Sequence, residues 1–205
     1  PNAAVQFVAG ELNRVRRAME SRDMAVAMER APMPAAPMLE ESFGEYHLYS
    51  LPRRTSIRHN ETKQLSMLSG SRLPLRKQFV VDGQARYYRN AQHPGTPIRD
   101  AVQVRYAFRN DQASGLGVPM PAGTVRVYQA DARGASQFIG EDRIGHTPKD
   151  ETLTITIGHA FDVVADRKQT DFLKVSNDTY ELQYEVRLRN HKDTPIRVEV
   201  NEPIG

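Results

Sequence analysis

The sequence predicts an all-β protein, a largely antiparallel β-sandwich of immunoglobulin-like or related type. Three observations predict it. Several runs alternate apolar and polar residues with a period of two, which on a strand separates a buried face from a wet one. No amphipathic helical pattern of core length lies between those runs, so βαβ units and a parallel sheet are not expected. Turn chemistry fills the gaps, at Asp82-Gly83, Arg133-Gly134 and residues 189–195.

Taken in order, AVQFV (4–8) reads as a short strand. Residues 14–41 are rich in Met, Ala, Pro and charge. The first half of this stretch suits a turn or two of helix, but Pro32, Pro34 and Pro37 forbid a continued one, because proline lacks the N–H and restricts its neighbour. The expected organisation is therefore a strand segment at 1–13 belonging to the sandwich, a linker at 14–42 and a main sandwich domain at 43–205. Within that domain GEYHLYSL (44–51) and RKQFVV (76–81) are β-prone. The run 98–110 puts Val102, Val104, Tyr106 and Phe108 on one face. TVRVYQ (124–129) and TLTITI (152–157) follow. The clearest run is YELQYEVRLR (180–189), with Tyr180, Leu182, Tyr184, Val186 and Leu188 set against Glu181, Gln183, Glu185, Arg187 and Arg189. IRVEV (196–200) repeats the pattern.

Composition limits the function. The chain has 205 residues and a formal net charge of +3, long enough to bury a core without a metal or disulfide. That mild excess of cations favours acidic surfaces only weakly and does not predict nucleic-acid binding, which needs a concentrated basic face. With no cysteine there is no thiolate nucleophile and no Cys-ligated zinc. Aromatic residues are 7% and tryptophan is absent, which weakens carbohydrate-platform and single-strand nucleic-acid readings. No apolar run is long enough for a transmembrane helix. The first and last residues read like cuts through a longer polypeptide.

The most polar motif, GEDRIGHTPKDE (140–151), packs acids, a histidine and a lysine together. Its Gly, Thr-Pro and Lys-Asp residues are turn chemistry, and neighbours on an extended chain point apart, so a connection rather than an active site is expected. YQADARGASQF (128–138) carries Asp131 but lacks the alternate oxygen ligands and closing Glu of a calcium loop, and reads as a hairpin. NDQASGLG (110–117) reads as a loop whose glycines serve backbone conformation. The six histidines show no i, i+2 or i, i+4 spacing. No catalytic residue, metal ligand or cofactor is predicted. Arg53, Arg54 and Arg58, beside His59, are the binding candidates for an anion such as phosphate, acidic glycan or lipid headgroup.

Residues 6–15, 45–57, 61–69, 121–131, 138–151, 160–172 and 184–203 together resemble the bacterial domain of unknown function 4139 family, which is related to mucoidy-inhibitor-A-like proteins. The resemblance spans the chain outside the Met/Ala/Pro stretch. It implies the C-terminal portion of a longer exported protein, located in the bacterial envelope (periplasm, outer-membrane associated or secreted), and carries no catalytic residues. The functional expectation is a non-catalytic envelope module that binds another protein, or itself, through exposed strand edges. The alternatives are binding of an acidic envelope glycan or lipid through a basic surface, and a hydrolase with a site built from distant loops.

Overall fold

The computed structural model describes residues 3–10, 38–88, 91 and 95–203. These residues are almost entirely β, with several antiparallel sheets and no α-helix among them, in a sandwich-like arrangement. The expected linker at 14–42 lies outside the described residues up to 37. Its last part differs from expectation, since a strand begins at Leu39. The chain also divides into two compact units where one sandwich was expected over 43–205. One unit comprises residues 1–73, 109–123 and 145–151, and the other residues 74–108, 124–144 and 152–205.

The first unit holds a three-stranded antiparallel sheet. Strands β1 (Gln6–Ala9) and β2 (Leu39–Phe43) flank β3 (Tyr46–Ser50) on either side. Phe7 and Glu40 both lie opposite Tyr49, so these three share one face. Tyr49 is fully buried, and its hydroxyl donates to the Pro119 carbonyl at 2.7 Å. Burial pushes this phenol up to about 12, with the Glu40 charge adding to the effect. Two loops complete the unit, and Asn110 joins them. Its Nδ2 donates to the Val118 and Pro148 carbonyls at 2.7 and 2.9 Å, and its Oδ1 accepts from the Gly117 N–H at 3.2 Å. Gly117 has φ +76°, and a Cβ there would sit 2.7 Å from the Gln112 nitrogen, so glycine is required.

The second unit is the sandwich. One sheet runs in the order β12 (Val198–Asn201), β4 (Arg76–Asp82), β6 (Gln103–Arg109) and β9 (Thr152–His159). The other runs β11 (Tyr180–Asn190), β10 (Val163–Lys174) and β5 (Ile98–Asp100). Their inner faces meet in a core of Phe79, Val81, Val102, Val104, Val163 and Ala165, with Ile157, Ala160, Ile196 and Val198 packed against it. Alternation puts these apolar side chains inward. A hairpin of β7 (Gly123–Ala130) and β8 (Ser136–Ile144) forms a separate two-stranded sheet.

Several expectations are refined. The run 98–110 is two strands in different sheets, β5 and β6, separated at Ala101-Val102. Strand β12 pairs parallel with β4, an exception within the largely antiparallel pattern. The first half of GEDRIGHTPKDE is strand β8, and only residues 145–151 form the connection.

Candidate functional site

Asp131 closes the β7–β8 hairpin. Its carboxylate accepts from the Gln137 side chain and from the Ala135 and Arg133 N–H groups, which hold it below the usual range. It is a turn residue, as the sequence predicts. The first two acids of GEDRIGHTPKDE are also engaged structurally. Glu141 pairs with Arg126 at 2.9 Å, and Asp142 accepts the Thr156 N–H at 2.7 Å. Arg53, Arg54 and Arg58 all lie exposed in the irregular segment after β3. The Arg58 N–H donates to Glu61, and Lys63 joins the same segment by bonding Thr55 and Ser56. None of the three arginines lines the cavity of the first unit formed around Tyr49 and Pro119.

The second half of the polar motif contributes to something the sequence did not reveal. In the first unit a cavity of about 370 Å³ is lined by Tyr49, Pro119, Met120 and Pro148, together with His47, Glu45 and His146. His47 lies on β3 and His146 in the 145–151 loop, so two histidines far apart in sequence share one apolar groove. The His47 Nδ1–H donates to Glu40 Oε1 at 2.8 Å. The His146 Nδ1 accepts from the Ala122 N–H at 3.2 Å, which leaves Nε2–H as a donor. The groove therefore sets two imidazoles against apolar walls. Its hydroxyls are committed, that of Tyr49 to Pro119 and that of Thr147 to the Gly145 carbonyl. Among the described residues no group of three or more His, Asp or Glu could hold a metal ion.

In the second unit the inner face of β10 carries a charge. Arg167 is 0% exposed. Its Nε donates to Asp100 at 2.7 Å and its Nη2 to Glu202 at 2.6 Å. The guanidinium stands over the rings of Tyr87 and Tyr184, with centroids at 5.2 and 5.9 Å. Tyr87 also donates to Asp100, and Tyr88 to Glu202. Burial and the Glu202 bond push the Tyr88 phenol up to about 12. Asp100 ends β5 and Glu202 follows β12, so this one side chain ties the edges of two sheets together.

A second candidate feature is the outer edge of β11. This strand is 11 residues long and ends its sheet, with no strand paired on its far side among the described residues. The direction of its backbone groups follows from two hydrogen bonds. His191 N–H donates to the Asp162 carbonyl, in register with the β10–β11 ladder. Beyond the bulge between Gln169 and Asp171, Val175 N–H donates to Thr179. Because antiparallel partners alternate between bonded and non-bonded pairs, Glu181, Gln183, Glu185, Arg187 and Arg189 turn their N–H and C=O groups toward β10. Leu182, Tyr184, Val186 and Leu188 turn theirs outward. Natural edge strands are commonly blunted by proline, a bulge or an inward charge. Strand β11 has no proline, its inward residues carry no charge, and the bulge lies on β10.

The fold and this edge define a β-sandwich-like module with a long strand edge left unpaired among the described residues. No family model, no curated protein and no solved structure matches the chain.

Proposed function

We propose that this chain is a non-catalytic protein-binding module that accepts an extended strand from a partner on the outer edge of β11. The single observation carrying this reading is the row of outward N–H and C=O groups at Leu182, Tyr184, Val186 and Leu188 on a long, unblunted strand. Strand addition uses such a row for main-chain hydrogen bonds, and the flanking side chains then select the partner. On the resemblance to the domain of unknown function 4139 family, we place the module in the bacterial envelope.

Val186→Pro tests the edge. Val186 N–H points away from β10, so proline removes an outward donor and keeps the bonds of the β10–β11 ladder. Peptides selected on the wild-type chain from a randomised display library are expected to lose at least tenfold in affinity for the variant, with its circular dichroism unchanged. Selected peptides that bind the folded variant as tightly as the wild type would contradict the reading.

A further inference from the structure

The side-chain pattern of β11 names a partner for its own edge. The wet face carries Glu181 and Glu185 toward the start of the strand and Arg187 and Arg189 toward its end. An antiparallel partner runs in the opposite direction, so a second β11 would bring its basic half against the first one's acidic half. We propose that the outer edge of β11 pairs with β11 of a second copy of this chain, about a two-fold axis that sets Val186 opposite Val186. This rests on the reading of β11 as a binding edge given above.

The register follows from backbone and charge together. Only outward residues can exchange hydrogen bonds across the new seam, so Leu182, Tyr184, Val186 and Leu188 must face outward residues of the second copy. With Val186 opposite its counterpart, Tyr184 faces Leu188 of the second copy and Glu185 faces its Arg187. Gln183 then faces Arg189. The Glu185–Arg187 contacts fall in non-hydrogen-bonded pairs, where facing side chains approach most closely. The nearest alternative registers that keep the outward rows bonded set Glu185 against Glu185 or Arg187 against Arg187. Like charges directly opposite are unfavourable, so both are disfavoured. Parallel pairing also places like charges side by side.

The inward-facing residues agree with this register. Leu188 is 41% exposed at the open edge. Across the seam it would lie beside Tyr184 of the second copy and lengthen the apolar face of the sheet. Glu185 and Arg187 now pair with each other along their own strand at 2.8 Å, and both are exposed. They are free to exchange that contact for the same one between copies.

Charge reversal tests the register, and light scattering reads the mass from micromolar to millimolar concentration. The wild-type mass is expected to double over that range. Glu185→Arg sets two cations against each other across the seam, and Arg187→Glu sets two anions there, so each variant alone is expected to stay at monomer mass. An equimolar mixture of the two restores opposite charges at both contacts and is expected to double in mass again. Circular dichroism checks that each variant is folded, as the exposure of both sites predicts. Single variants that associate like the wild type, or a mixture that stays monomeric, would overturn this register. A wild-type chain that stays monomeric throughout would overturn self-pairing. Val186→Pro then separates the two ideas. If peptide binding is lost in that variant, only the identity of the partner is wrong, whereas binding that persists removes the edge reading as well.

Discussion

Arg167→Ala is expected to lower the stability of the chain by about 3–5 kcal/mol, the usual consequence of removing one member of a buried ion pair. Two carboxylates depend on this side chain. Asp100 keeps only 5% of its side chain exposed, and Glu202 keeps 23%. Without the guanidinium both must be protonated, rehydrated or left uncompensated. The rings of Tyr87 and Tyr184 would also face a void. The loss should read as a fall in melting temperature of roughly 10 °C or more for a chain of this size. The more buried partner should matter more, so Asp100→Asn is expected to cost more than Glu202→Gln. Arg167→Met combined with Asp100→Asn and Glu202→Gln should recover much of the loss, because neutral groups of similar volume leave no unpaired charge. Thermal unfolding followed by circular dichroism checks the series. A melting temperature of Arg167→Ala equal to the wild type would show that this side chain does not hold the sheets.

Asn110→Ala should produce the second largest loss, about 3 kcal/mol, and should act on the first unit. Asn110 is fully buried and answers two carbonyls and one N–H. Alanine leaves all three groups without their partner, and an unsatisfied buried polar group costs about 1–3 kcal/mol. The Pro148 carbonyl belongs to the loop that carries His146, so the groove should loosen along with the fold. Urea unfolding gives the stability change, and the ring resonances of His146 report the loop. An Asn110→Ala chain with unchanged urea midpoint and unchanged His146 resonances would contradict this role. Asn110→Asp should fall between alanine and wild type, since one side-chain oxygen can still accept from Gly117.

How much of this was legible in the sequence depends on what faces inward. Strand β11 could be read directly, because Tyr180, Leu182, Tyr184, Val186 and Leu188 alternate with polar residues without interruption. Strand β10 is longer and could not. Its buried positions include Arg167 and Gln169, which are polar, while Asp166 and Lys168 occupy the wet side. A strand that buries charge has no hydrophobic period, and only the partners Asp100 and Glu202, distant in sequence, make such a position tolerable. Strand β2 was hidden for another reason, since it follows directly on the Met/Ala/Pro stretch and its LEESF sequence is nearly all exposed. The break between β5 and β6 falls inside one continuous β-prone run, where composition gives no sign that the chain changes sheets.

The candidate sites divide in the same way. The hairpin role of Asp131 is local, and its turn residues announce it. The groove of the first unit is not local, because His47 and His146 meet only through tertiary structure. Spacing rules search for ligands on one element and pass over such a pair. The edge of β11 was half legible. The alternation marked the strand, but which strands end a sheet is a property of topology, and the direction of each N–H follows only from the pairing with β10.

Residue-resolved amide hydrogen exchange reads whether the outer edge of β11 is open. The measurement belongs at a dilution where light scattering reports a monomer. An open edge gives an alternation along one strand, with the amides of Leu182, Tyr184, Val186 and Leu188 exchanging fast and those of Gln183, Glu185, Arg187 and Arg189 protected by β10. Equal protection of both sets in the monomer would mean that the edge is already covered, and would rule out β11 as a docking edge.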